Sequence, residues 1–249
     1  MTESMSALTP ILGIGLGPGD PDLTSVRART ALERCDRLAH FCKGGRRGNA
    51  RTIADAIVGA DPAREIAMVY PVTTEIAVED PAYAQALAGF YEACVARLLA
   101  EREAGRTVGV LCEGDPFFYG SWMHLWRRLR ERVPVETIPA ITAMSGAWTA
   151  ADAPITWGDD VLTVLPGTLP AAELARRLRD TDAAVIMKLG RNWPKVRDAL
   201  AEAGLTGRAV YVERATMAGE RVIPVAEVPA GHVAPYFSLV IVPGDGRRP

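Results

Sequence analysis

The stretch "ILGIGLGPGDPDLTSVRART", residues 11–30, decides how the chain is read. A short apolar run closed by glycines gives way to a turn and then to a charged segment with helical spacing, which predicts strand, loop, helix. A dinucleotide fingerprint here would need G-x-G-x-x-G, so that a third glycine lets the helix pack closely on the strand beneath a pyrophosphate. The spacing fails. Counted from Gly13 and Gly15 the third position is Pro18, and counted from Gly15 and Gly17 it is Asp20. No G-K-[ST] follows, so the loop is not a Walker phosphate cradle either. A nucleotide-dependent oxidoreductase is therefore disfavoured, and the glycines point to a different ligand.

Working outward, "LTSVRARTALERCDRLAH" carries Leu23, Val26, Ala31 and Leu32 at roughly helical spacing. The same unit returns as a strand in "TVGVLCEG", a turn in "DPFFYG" and an amphipathic helix in "SWMHLWRRLRERV", with Met123, Leu125, Trp126 and Leu129 on or near one face. Between the two units, Asp80-Pro81 starts a long helix that Gly105 stops. Two βα units predict a parallel, helix-covered sheet whose ligands bind outside the strands' carboxyl ends. After residue 133 the pattern restarts. "VPVETIP" reads as a strand, "AITAMSGAWTAADAP" as a short helix of small residues, and "DDVLTVLPG" as a strand. "AAVIMKLG" then reads as a buried strand, "NWPKVRDALAEAG" as a helix with Pro194 in its first turn, and "RAVYVERA" and "YFSLVIV" as strands. The expected fold class is α/β in two lobes: residues 1–138 with a parallel sheet and 139–249 with a mixed one, jointed near 138–142. The tail "PGDGRRP" reads as frayed.

The 249 residues can bury a proper core. With 28 basic and 30 acidic side chains the net charge is -2, which favours neither nucleic acid nor an anionic membrane. No apolar run approaches the roughly 20 residues of a membrane span, and "MTESMSALTP" lacks the regions of a secretion signal. A cytoplasmic enzyme is expected. Cys35, Cys42, Cys94 and Cys112 form no C-x-x-C pair, so buried free thiols are expected and no metal site. His40, His124 and His232 are isolated from each other and read as structural or surface residues.

Four loops, each after a predicted strand, stand out: "GLGPGD" (15–20), "EGDPFFYG" (113–120), "PAITAMSG" (139–146) and "KLGRN" (188–192). Glycine and alanine leave main-chain N–H and C=O groups uncovered, so together the loops suit a small ligand held largely by backbone in a cleft between the lobes. Asp115 is a candidate to accept a hydroxyl or a backbone N–H, or to cap the helix that starts near Ser121. Asp20 would cap the first helix or face substrate.

The start G-x-G-P-G-D at Gly15–Asp20, the G-D-P-x-x-Y-G loop at Gly114–Gly120, the P-x-I-T-x-x-S-A-like joint at 139–146, "VYVERATMAGER" and "PYFSLVIV" together resemble the tetrapyrrole methylase family. The likeness runs from residue 11 to 243. It implies S-adenosylmethionine-dependent enzymes, usually homodimers, with S-adenosylhomocysteine as product and a tetrapyrrole as substrate. Within the family, "TWGDDVLTVLPGT", "AAVIMKLGRNWPKVRDAL" and "YFSLVIVPG" most resemble the branch that methylates carbon 20 of a metal-free corrin precursor, with the cobalt-dependent counterpart as the nearest rival. Carried over motif by motif, the resemblance implies cofactor contacts at Pro18, Glu113, Gly114, Asp115, Phe118, Thr142, Ala143, Leu189 and Ala215. Two positions depart from it, since Ala140 and Ala215 stand where glycine is common in the family. A non-catalytic module that senses S-adenosylmethionine is the alternative from a different class.

Methyl transfer from sulfur to carbon uses a donor that is already activated, so aligning the reactants is the main task. Orientation is worth roughly 7–11 kcal/mol, whereas a general base contributes about 3–5 kcal/mol. The lack of a triad or metal motif therefore does not count against an enzyme. Glu113, Asp115 and Tyr119 are the candidate acceptors of the proton that the methylated carbon loses. A substrate rich in carboxylates asks for local cations, and guanidinium groups bind carboxylates in bidentate fashion. Candidates are Lys43, Arg46, Arg47, Lys188, Arg191 and Arg214, of which Arg46, Arg47 and Arg191, with Asp20, are taken as the substrate rim.

Overall fold

A computed structural model describes residues 9–71 and 81–246. The first eight of the residues read against a secretion signal, Asp80 ahead of the long helix, and the last three residues of the tail lie outside them. The chain divides into two compact units between Thr142 and Ala143.

The first unit is built on five strands, β1 (Ile11–Gly15), β2 (Arg37–Cys42), β3 (Glu65–Val69), β4 (Val108–Cys112) and β5 (Val135–Ile138), all parallel in the order β3-β2-β4-β1-β5. Every residue of β4 is buried, as expected of a central strand covered on both faces. Helices α1 (Val26–Arg34) and α2 (Asn49–Val58) set Ala28, Leu32, Ile53 and Ala54 against Ile14, Leu38 and Leu111 on one face. Helices α3 (Pro81–Glu103) and α4 (Trp122–Leu129) set Val95, Leu98, Trp122 and Leu125 against Ile11, Ala39 and Val110 on the other. Burying the Trp122 indole is worth about 3–5 kcal/mol against alanine. Its Nε1 donates to Thr137 Oγ1 at 2.9 Å, so the ring carries no unmet donor into the core.

The segment expected to be one helix from Leu23 to His40 is divided. Leu23 closes a single 3-10 turn, Pro21–Leu23, and α1 begins after Ser25, whose Oγ accepts the Ala28 N–H at 3.2 Å. Val26 points away from the core and is 81% exposed, and the buried stripe is Ala28, Ala31 and Leu32. The helix stops at Arg34 because Arg37–Cys42 is a strand paired with both β3 and β4. The Arg64 guanidinium donates to the carbonyls of Leu32 and Cys35, so the last turn of α1 meets a cation.

The second unit contains α5 (Ala143–Ala150), α6 (Ala171–Arg179), α7 (Trp193–Glu202) and strands β6 (Leu162–Pro166), β7 (Ala183–Met187), β8 (Val210–Glu213), β9 (Arg221–Pro224) and β10 (Ser238–Val242). The order is β6-β7-β10-β8-β9, with β6 parallel to β7 and the other pairs antiparallel. Because β10 runs against both β7 and β8, the carboxyl ends of β6, β7 and β8 share one edge. Helices α6 and α7 cover one face with Leu174, Leu178, Trp193 and Leu200, and α5 covers the other with Ala147. Pro194 lies in the first turn of α7, where its missing N–H costs nothing.

All four cysteines are free and buried, and burial pushes the Cys94 thiol up to about 11 and the Cys35 thiol up to about 12. The histidines have structural partners. His40 Nε2 lies 2.7 Å from Glu65 Oε1, His124 stacks on Tyr91 at 4.5 Å between centroids, and His232 Nε2 lies 2.8 Å from Glu213 Oε1.

Candidate active site

A sheet of parallel strands sends all its carboxyl-end loops to one edge. In the first unit these include residues 16–20 after β1, 43–48 after β2, 113–120 after β4 and 139–142 after β5. From β1 the chain passes through α1 on one face to β2, and from β4 it passes through α4 on the opposite face to β5 on the other side of β1. The direction of winding reverses between β4 and β1, where ligands of such sheets bind. The loops after these two strands are tied together. The Gly114 N–H donates to the Gly17 carbonyl at 2.8 Å, and the Leu16 N–H donates to the Cys112 carbonyl at 3.0 Å. Pro18 stands half-buried beside this bridge.

Gly15 explains how a third loop joins them. A Cβ at Gly15 would lie 2.6 Å from the Ala140 Cβ and 2.8 Å from the Pro116 Cδ. The loops after β4 and β5 therefore close over a bare α-carbon. The methyl of Ala140, at a position where glycine is common in the resembled family, fills the space that Gly15 leaves open.

Asp115 fastens the arrangement. Its Oδ1 accepts the Phe117 N–H at 2.9 Å and its Oδ2 accepts the Ala140 N–H at 3.0 Å. It does not cap α4, which lacks a side-chain cap. Glu113 reaches in the opposite direction. Its Oε1 accepts the Ala50 N–H at 3.1 Å, in the first turn of α2, where the N-cap residue Gly48 offers no side chain. Burial pushes the Glu113 carboxyl up from its ordinary value, and the bonds from Ala50 and the Asn49 side chain pull the other way without cancelling it. Asp20 Oδ1 accepts the Asp22 N–H at 2.8 Å, so it caps the 3-10 turn and not α1. Phe118 and Thr142 are half-buried, and Tyr119 is exposed with its ring edge-on to Phe118 at 4.9 Å.

In the second unit, Leu189 is fully buried in the core that α6 and α7 share with the sheet, so only its main chain can meet a ligand. Ala143 opens α5, and Arg191 is exposed in the 3-10 turn Gly190–Asn192. Ala215 lies between Arg214 (φ 48°) and Thr216 (φ 65°). Five non-glycine residues have positive φ among the described residues, and four of them, Tyr119, Lys188, Arg214 and Thr216, fall in carboxyl-end loops. Strain of this kind collects at functional sites, where the surrounding structure holds it.

Sequence reasoning missed the buried acid that precedes the Arg214–Thr216 turn. Glu213 is buried at the end of β8, and its Oε1 accepts the Tyr211 hydroxyl at 2.8 Å while also facing His232. The legible signal was an acid ending an apolar strand in "VYVERAT". The expected cations differ in availability. Arg46 and Arg47 are both exposed, but Arg47 is ion-paired to Asp55, with Nε 2.7 Å from Oδ2.

The lining suits an adenosyl sulfonium. The half-buried Pro18, Gly114, Phe118 and Thr142 offer apolar surface and uncovered main chain. Among the described residues no group of His, Cys, Asp and Glu could hold a metal, and no helix is long and apolar enough to cross a membrane.

Residues 10–229 match the family model of Tetrapyrrole (Corrin/Porphyrin) Methylases. A precorrin-2 C(20)-methyltransferase of Sinorhizobium sp is 54% identical, with 96% of this chain and 97% of that protein covered. A cobalt-precorrin-2 C(20)-methyltransferase of Salmonella typhimurium is 29% identical, over 93% of this chain and 95% of that one. The crystal structure of a uroporphyrin-III C-methyl transferase from Thermus thermophilus complexed with S-adenosylhomocysteine superposes with a TM-score of 0.65 at 22% identity, covering 93% of this chain and 96% of the other.

Proposed function

The chain belongs to the tetrapyrrole methylase family, and from that premise we propose that it methylates carbon 20 of precorrin-2 to give precorrin-3A in cobalamin biosynthesis. The observation that carries the reading is the near full-length likeness to a precorrin-2 C(20)-methyltransferase, far closer than that to its cobalt-dependent counterpart. The methyl donor is S-adenosylmethionine, which supplies an electrophilic methyl group and leaves as S-adenosylhomocysteine.

The chain's own residues then have three tasks. Positioning falls to Asp115, whose two bonds hold the loops after β4 and β5 in register around Gly15. Cofactor contacts in the first unit are assigned to Pro18, Glu113, Gly114, Asp115, Phe118 and Thr142, and those of Ala143, Leu189 and Ala215 rest on the resemblance. Proton removal from carbon 20 is assigned to Glu113. Both carboxylates accept hydrogen bonds, Asp115 from Phe117 and Ala140 and Glu113 from Ala50 and Asn49, and burial, which raises the Glu113 carboxyl, makes Glu113 the preferred base. Tyr119, exposed beside it in sequence order on the same loop, is assigned to orienting substrate. Arg46 and Arg191 are assigned to the substrate's carboxylates, and Arg47, already paired with Asp55, to supporting the loop that holds Arg46.

We place the enzyme in the cytoplasm as a homodimer without nucleic-acid partners, in keeping with its family and with a net charge of -2. The test is methyl transfer to precorrin-2 in vitro. A product one methyl group heavier, labelled at carbon 20, supports the reading, and cofactor binding without transfer would favour a sensing module instead.

A further inference from the structure

The loop after β2, "KGGRRG" at 43–48, belongs to none of the motifs that carry the family likeness, yet it forms one wall of an open cavity of about 320 Å³ along β2 and the edge strand β3. A turn shapes it. The Arg46 N–H donates to the Lys43 carbonyl at 3.1 Å, and Gly45 takes a φ of 69° that a side chain would strain. Closing the turn brings its two end residues together, with α-carbons less than about 7 Å apart. Those residues are both cations. Among the described residues neither the Lys43 nor the Arg46 side chain has a hydrogen-bonded or ion-paired partner, whereas the neighbouring Arg47 is held by Asp55.

The remaining walls differ in character. Ala67 and Val69 come from the outward face of the edge strand β3, where alternate residues are exposed, and they supply an apolar side. His40 and Glu65, bonded to each other at 2.7 Å, close the inner end. Among the described residues Glu65 is bonded to His40 and Asp55 to Arg47 and Arg51, which leaves Lys43 and Arg46 as the unpaired cations on the cavity's lining. A pair of convergent cations beside an apolar wall matches a ligand that joins a carboxylate to a short hydrocarbon stem. A bare inorganic anion would make no use of Ala67 and Val69.

We infer that this cavity is a subsite for one carboxylate-bearing side arm of the tetrapyrrole, gripped by Lys43 and Arg46 with its methylenes against Ala67 and Val69. The inference rests on the proposed function and extends it, because it assigns to one loop a share of substrate recognition. β2 neighbours β4 in the sheet, so the loop 43–48 follows a strand about one spacing, roughly 5 Å, from the strand that leads to Glu113, and the β3 wall lies about one spacing further out.

The experiment compares the wild-type enzyme with a Lys43→Gln/Arg46→Gln double variant and with Val69→Asp, which sets a negative charge on the apolar wall. Precorrin-2 is the probe in anaerobic steady-state kinetics and in direct binding, and S-adenosylhomocysteine affinity is measured on each protein. The expected result is a KM and a precorrin-2 Kd raised about tenfold or more, with kcat and S-adenosylhomocysteine affinity within about twofold of wild type. Arg34→Gln, at the opposite end of the sheet, should change neither. If the wild type methylates precorrin-2 and both cavity variants match it in KM and Kd, the subsite is wrong and the function stands. If the wild type neither binds nor methylates precorrin-2, the function falls and the subsite with it.

Discussion

Replacing Asp115 tests how the catalytic loops are held. Its carboxylate accepts two main-chain N–H groups, from Phe117 at 2.9 Å and from Ala140 at 3.0 Å. Hydrogen bonds to a charged group contribute about 1.5–3 kcal/mol each, and at a half-buried site the lower end applies because water replaces part of what is lost. Asp115→Ala removes both and should cost about 3 kcal/mol, and Asp115→Asn keeps one acceptor and should cost about half of that. For a chain of this length each kcal/mol lowers Tm by about 2–4 °C, so the alanine variant should melt about 6–12 °C lower. The functional consequence should be separable. Without the bond to Ala140 the loop 139–142 is no longer pinned over Gly15, and calorimetric affinity for S-adenosylhomocysteine should fall about tenfold, equivalent to about 1.4 kcal/mol. An Asp115→Ala protein with unchanged Tm and unchanged affinity would refute the idea that this carboxylate organises the site.

Three further substitutions probe neighbouring links. Gly15→Ala would drive a Cβ to within 2.6 Å of the Ala140 methyl, so it should destabilise the fold by about 1–3 kcal/mol in urea titrations and weaken cofactor binding. Pairing it with Ala140→Gly should restore much of the loss if the two positions share one space. Glu113→Gln keeps an acceptor for the Ala50 N–H and removes the charge. The carboxyl value is raised in the folded state, so its stabilising effect is fully present below the unfolded value of 4.5 and is lost as pH rises through the folded one. The variant should therefore gain stability relative to the parent as pH rises above the unfolded value, while kcat drops by about 100-fold or more if Glu113 takes the proton. Parallel stability–pH curves would show that burial imposes no such cost. Pro18→Leu, at the edge of the β1 loop, should weaken S-adenosylhomocysteine binding with little change in Tm, and equal affinity would remove Pro18 from the site.

Much of this architecture is legible in the sequence because parallel strands leave apolar runs bounded by glycines. "TVGVLCEG" and "AAVIMKLG" are unmistakable for that reason, and the small-residue loops that follow them mark the ligand edge. The run through "LTSVRARTALERCDRLAH" misleads because its charged residues blur two elements into one period. Val26 fits the helical spacing yet faces solvent, and the strand "RLAHFC" begins with an arginine that pairs with Glu101. The edge strand β3 is harder still, with only two of five residues buried. Asp115 and Glu113 bond to partners 25 and 63 residues away, at Ala140 and Ala50, and no local pattern encodes such pairings. Lys43, Arg46 and Arg47 were visible in the sequence as a cluster of cations. What the sequence did not separate was Arg46 from Arg47, since only the fold brings Asp55 to one of them.

The central claim is the identity of the methyl acceptor, and one anaerobic assay tests it most directly. The enzyme is given S-adenosylmethionine with precorrin-2 or with its cobalt-inserted counterpart in separate reactions, and products are followed by mass spectrometry, with carbon 20 confirmed by isotope-labelled NMR. The account predicts one methyl group added to carbon 20, with metal-free precorrin-2 clearly preferred. Preference for the cobalt-containing ring, or methylation at another carbon, would contradict it.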